Sequence, residues 1–323
     1  MISLPALFTV SASVLGLVLI VAALIRLWRR GRTADHVKSV ANKASVVEHA
    51  VQHAQRRAVV AVVFSIAMFV AISSVAFAAP QFLGIPLAAA PGLAVSGGLL
   101  LFAVTPPALV PKRERNSALL RSRRPWSFGS KWSFFLPLAV ATGLIIFLTW
   151  AGVTSSPDAR GLYRAISVSD DATSSTASPY PGWFYGVPLI VVTVVLAIST
   201  VLALVRISST PSLPAAELGH LDQHWRNIST RVITKLSTAA MLGYFGGAAF
   251  IAGQATHNVA TSRGTNGYVL RQPEFVIGAT LLVAGGVLAI AALVFLILVA
   301  FDAATLRTAA LRAWRGDLQA GSA

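Results

Sequence analysis

The chain contains no cysteine. That excludes disulfides, thiolate metal sites, iron–sulfur clusters and cysteine nucleophiles, and says nothing about compartment. Charge is also scarce: only 11% of the 323 residues are Asp, Glu, Lys or Arg, against about 25% in a soluble domain. The bulk of such a chain does not face water. Acidic residues are rarest, at 11 against 26 Lys and Arg. In a soluble protein that imbalance points to nucleic acid. No Walker or Rossmann glycine loop for phosphate binding is present either.

What the chain has instead is apolar length. It is 55% hydrophobic, with a mean hydropathy of +0.72. Seven runs are each long enough to cross about 30 Å of hydrocarbon: Leu4–Ile25, Ala58–Ala79, Leu87–Val110, Ser133–Val153, Trp183–Val205, Leu236–Gln254 and Phe275–Phe301. With these boundaries every Lys, Arg, Asp, Glu and His falls outside a run. Lipid offers no partner to a free backbone amide, so the runs are predicted to be helices. The expected fold is an all-α integral membrane bundle with seven transmembrane helices in one domain.

Basic residues fix the expected orientation. The segments after spans one, three, five and seven hold 22 of the 26 Lys and Arg and a net charge of +15. The other side holds four and is neutral. The N-terminus is therefore expected outside and the C-terminus in the cytosol. The first run reads as an N-out anchor, because no basic stretch precedes it. Arg56-Arg57, the run after them and Ala76-Phe77-Ala78 have the form of an internal signal peptide; a second span is the preferred reading. Clusters such as Arg121-Ser122-Arg123-Arg124 lie beside spans, where positive charge sets topology and meets anionic lipid. The expected partner is thus a bilayer with an anionic inner leaflet, and not nucleic acid. A membrane-protein partner or a homo-oligomer is the further partner expectation.

Between the spans, residues 33–57 lack Pro and Gly and carry Val37, Val40, Ala44, Val47, Val51 and Ala54 at helical spacing, which predicts a cytosolic amphipathic helix. Residues 154–182 and 255–274 are the expected extracytoplasmic loops. Both follow an Ala-Gly pair and contain Arg-Gly followed by a Tyr, a short match of the kind a repeated two-span unit leaves. The first ends in an aromatic cluster suited to a membrane interface. Its PYPGWFYGVP stretch (residues 179–188), with the short basic loops and the layout, resembles uncharacterised multi-spanning membrane proteins of high-GC actinobacteria, mainly over residues 154–205. The resemblance implies a multi-pass protein of a bacterial plasma membrane. That group has no assigned activity, so no functional residue is carried over.

No catalytic, cofactor-binding or metal residue is assigned, and no cofactor is expected. The runs contain no buried lysine for a retinal, no histidine beside Ser237 or Thr238, and no acidic residue for proton coupling. Lys235, Glu274 and Asp302 are placed to reach an interface. The strongest metal candidates are two His-x-x-x-His pairs, His49/His53 and His220/His224, with Glu48 and Asp222 adjacent. A helix would place each pair on one face. Asp222, two residues from each of its histidines, points away from that face, and solvated histidines are the preferred reading. Gly243 and Gly247, continued by Ala249 and Gly253, with Gly278 and Gly285-Gly286 in span seven, predict close packing of those two spans. Gly97-Gly98 and Pro91, Pro106 and Pro107 suggest an irregular third span. The expected role is a non-enzymatic membrane component of a transport, envelope or sensory assembly. The alternative is a passive or partner-energised permease with a cavity lined by spans three, five and six.

Overall fold

Proline and glycine decide where the helices stop. The computed structural model describes residues 42–78, 80–105, 128–170, 173–210, 219–264 and 267–320. The predicted span Leu4–Ile25 and residues 33–41 lie outside them. With no Pro or Gly in the way, α1 (Asn42–Ala78) runs unbroken through the second predicted span. The amphipathic segment is thus one helix with that span from Asn42 onward. Its apolar seam joins the core, where Val51 and Ala54 are buried. Leu83 and Gly84, with φ of 52° and 84°, turn the chain into α2 (Ile85–Val104), which has Pro86 in its first turn. Thr105 closes α2 in an extended conformation (ψ 128°), the state forced on a residue before proline.

Helix α3 (Lys131–Val153) is capped by Ser130, whose hydroxyl accepts from the Trp132 amide at 3.3 Å. Then follow α4 (Trp183–Ser209), α5 (Gly219–Ala260) and α6 (Glu274–Ala320). All six helices are long and apolar enough to cross a membrane, the mark of a multi-pass membrane protein. Successive helices alternate in direction. One end of the bundle, called the basic end, holds the starts of α1, α3 and α5. The other end carries the turns after α1, α3 and α5.

At that second end the structure departs from the expected loops. Strands β1 (Ser156–Pro157), β2 (Tyr163–Asp170) and β3 (Thr173–Ala177) form an antiparallel sheet in the order β1-β2-β3. Ile166 pairs with Ala177 and Asp170 with Thr173. A second hairpin joins β4 (Thr261–Gly264) to β5 (Gly267–Leu270). The signal was in the sequence: Ile166 and Val168 alternate with Ser167 and Ser169, and Asp170-Asp171 marks the turn.

Helices α5 and α6 share the most extensive contact in the bundle. A Cβ on Gly253 would come within 2.5 Å of the Leu282 amide nitrogen, and one on Gly285 within 2.6 Å of the Phe250 nitrogen. Gly246 and Gly278 are equally crowded by the opposite backbone. The seam thus runs at a seven-residue step, Gly246/Gly253 against Gly278/Gly285. Gly247 and Gly286 meet nothing within 4 Å, and Gly243 meets only the Ala292 Cβ at 3.9 Å. The expected pairing of these two spans is present in a corrected register. Gly97-Gly98 serve packing as well: a Cβ on Gly98 would strike the Ala61 carbonyl and the Ser65 side chain of α1, and α2 continues as a helix through Pro91, while Pro106 and Pro107 lie outside the described residues.

Candidate functional site

At the basic end, polar side chains hold the ends of neighbouring helices. Arg226 of α5 is completely buried. Its guanidinium forks onto Asp222, one turn earlier, through Nε–Oδ2 at 2.9 Å and Nη2–Oδ1 at 3.0 Å. It also donates to the carbonyls of Ile207 and Thr210 at the end of α4. The Trp225 and Phe128 rings lie 4.8 and 5.4 Å from it, and Trp225 donates its indole N–H to Asp222. A cation over the C-terminal carbonyls of a helix is favoured by the helix dipole. The carboxylate supplies the charge that makes the burial tolerable.

The same arrangement recurs at α2. Arg57 of α1 donates to the Phe102 carbonyl at 2.8 Å and to the Thr105 hydroxyl, and lies over the Phe102 ring. Gln55 reaches the Ala304 carbonyl of α6 at 2.8 Å. Lys235 of α5 pairs with Asp302 of α6 at 2.8 Å. Of the three residues expected from sequence to reach an interface, Lys235 and Asp302 thus reach each other, whereas Glu274 begins α6 at the opposite end.

Between the helices the polar groups are hydroxyls. Thr193 and Tyr244 bond at 2.9 Å, and Thr200 donates to Ser237 at 2.9 Å. Thr238 donates to the Thr234 carbonyl of its own helix. Two apolar grooves flank this interior. One of about 340 Å³ lies between α3, α4 and α5, walled by Pro137, Val201 and Met241 with Thr200 and Ser237 at its base. The other, of about 200 Å³, lies between α1, α2, α5 and α6. The third, fifth and sixth predicted spans correspond to α2, α4 and α5, which pack closely where they meet. Gly92 there faces Val192 and the Tyr244 ring.

The sheet end is an ordered cap. Asp158 accepts from the amides of Arg160 and Leu162 and pairs with Arg164. The Arg164 bond, reinforced by those amides, holds the Asp158 carboxyl below the usual carboxylate range. Tyr180 is fully buried, with its hydroxyl 2.7 Å from Thr154 and its amide on the Arg164 carbonyl. Burial pushes its phenol above the ordinary value. Arg271 donates to the Val168 carbonyl at 2.8 Å and so ties β2 to the start of α6.

The histidine pairs lie on α1 and α5, both at the basic end. The side chains of His49 and His220 lie outside the described residues. Asp222 is committed to Arg226, and among the described residues no three His, Cys, Asp or Glu side chains converge. The Arg226–Asp222 and Lys235–Asp302 pairs escaped sequence reading. The first was hidden by attention to the histidines around Asp222, although its i, i+4 spacing is visible. The second joins residues far apart in the chain.

These features define the class: a multi-pass helical bundle with an ordered polar cap at one end and a basic face at the other. No family model matches the chain, and no similar protein was found among curated proteins or solved structures.

Proposed function

We propose that the protein is a non-enzymatic component of a bacterial plasma-membrane assembly, with its basic end in the cytosol and its sheet cap outside. It acts by presenting these two fixed surfaces to partner proteins of a transport, envelope or sensory system. The observation that carries this reading is how the bundle is closed. Where α2, α4 and α5 meet, Gly92 packs against Val192 and Tyr244, and Thr193 and Tyr244 bond to each other. Arg57 and Arg226 pin the helix ends next to the basic segments. The resemblance to actinobacterial multi-spanning proteins and the expected seventh span Leu4–Ile25 belong to the same proposal.

The groove between α3, α4 and α5 favours a second reading, a permease whose cavity takes α3 in place of α2. Crosslinking in native membranes, followed by mass spectrometry, tests the two. Envelope or signalling proteins attached to the cap or the basic face support the assembly component. A transport ATPase attached there supports the permease. Solute flux or turnover by the purified chain alone in vesicles contradicts the first reading.

A further inference from the structure

We propose that the groove between α3, α4 and α5 binds an anionic phospholipid, with one acyl chain in the groove and the phosphate at Lys131 and Arg231. The groove forms because α3 and α4 meet toward the sheet end and part toward the basic end. Near the sheet a Cβ on Gly152 would strike the Trp183 ring, and one on Gly186 would lie 3.4 Å from the Leu148 carbonyl. Where the two helices part, α5 becomes the floor. The cavity of about 340 Å³ runs from Ala141, Ala197 and Met241 down to Phe134, Val205 and Thr234, a length of about 11 Å at the rise of a helix.

The walls select hydrocarbon. Thr200 donates to the Ser237 hydroxyl, and Thr234 donates to the Thr230 carbonyl of its own helix, so each hydroxyl on the wall already has a partner. A polar solute would lose its hydration there without recovering hydrogen bonds. The open side is rimmed by Leu138 and Val201, which are 65% and 57% exposed on helices apolar enough to cross a membrane. It therefore faces the bilayer. A hydrocarbon chain entering from the side is the occupant these walls accept.

The mouth carries the charge. Lys131 precedes Phe134 by three residues on α3, and Arg231 precedes Thr234 by three on α5. Each cation thus sits on the helix face that lines the groove, one turn nearer the basic end. The two segments touch at this level, since a Cβ on Gly129 would lie 3.3 Å from the Thr230 methyl. Both cations are exposed, and among the described residues neither joins an ion pair. Trp132, 74% exposed beside Lys131, marks headgroup depth. Two cations at that depth, over an apolar groove, match the phosphate and the chain of an anionic lipid. The proposal needs only the membrane-spanning character of the bundle and not the partner proteins proposed above.

The test is photocrosslinking of the purified chain in neutral detergent by a phosphatidylglycerol with a diazirine on one acyl chain, the labelled residues being read by mass spectrometry. Label is expected on Ala141, Ala197 and Met241. Unlabelled phosphatidylglycerol is expected to displace it about tenfold more effectively than phosphatidylcholine. Lys131→Gln combined with Arg231→Gln should erase that preference and leave melting in phosphatidylcholine unchanged, since both side chains are exposed. Ala197→Phe, which fills the groove, should lose the label. Label spread evenly onto exposed Val283 and Ile290 of α6, or retained in the groove by Ala197→Phe, overturns the chain site. Equal displacement by the two lipids, or an undiminished preference in the double variant, overturns the headgroup site.

Discussion

Removal of Arg226 should destabilise the bundle more than any other single change at the basic end. Its side chain is completely buried, and its partner Asp222 keeps 13% of its side-chain surface. Breaking a buried pair from one side costs about 3–5 kcal/mol, because the remaining charge stays where water cannot reach it. The partial exposure of Asp222 argues for the lower part of that range. Loss of the donors to the Ile207 and Thr210 carbonyls, each worth about 1 kcal/mol net, argues back upward. We therefore expect Arg226→Ala to cost about 3–4 kcal/mol, read by denaturant titration in mixed micelles. Asp222→Asn should cost less, since the amide still accepts from Trp225. The double replacement Arg226→Met with Asp222→Leu should recover most of the loss, because no unpaired charge remains. A loss below about 1 kcal/mol for Arg226→Ala, within the range of an exposed ion pair, with a double variant no better than the single, would refute the reasoning.

Gly253→Leu should break the α5–α6 seam and cost at least the 1–3 kcal/mol typical of overpacking, roughly, whereas Gly247→Ala, with open space around it, should be neutral; equal melting of the two variants contradicts the register. The Asp158 carboxyl is depressed by Arg164, so its contribution is present above the unfolded value of about 3.9 and is lost as pH falls through the lower folded one. Protection factors at the Arg160 and Leu162 amides, with the intrinsic pH dependence of exchange divided out, should accordingly stay constant from about pH 5 to 8 and fall only in stronger acid; a loss of protection between about pH 5 and 7 would count against that assignment. Tyr180→Phe removes the bond to Thr154 and should lower cap stability by about 1 kcal/mol, seen as faster proteolysis within residues 156–177; an unchanged cleavage rate argues that the bond does not hold the cap.

The apolar runs were legible because membrane helices are announced by composition within one local window. Their ends were less so. Nothing local shows that the amphipathic helix expected over residues 33–57 runs without a break into the next span, and the structure shows one helix from Asn42 to Ala78. The β2–β3 hairpin was readable from the alternation at residues 163–169, but it competed with the plain signal of a Ser/Thr-rich loop. Glycine spacing indicated which two spans pack. It left the register open, because Gly243, Gly246, Gly247 and Gly253 offer several small faces and only the partner helix selects one. Lys235–Asp302 was not legible at all, since chain folding alone brings those residues together.

The account stands or falls on which end of the bundle faces the cytosol, and the absence of cysteine supplies a clean background for measuring it. Ser174→Cys lies exposed on β3, and Ser209→Cys lies exposed at the end of α4. With a membrane-impermeant maleimide, Ser174→Cys should label in intact cells and Ser209→Cys only after permeabilisation. Labelling of Ser209→Cys in intact cells, with Ser174→Cys protected, contradicts the account.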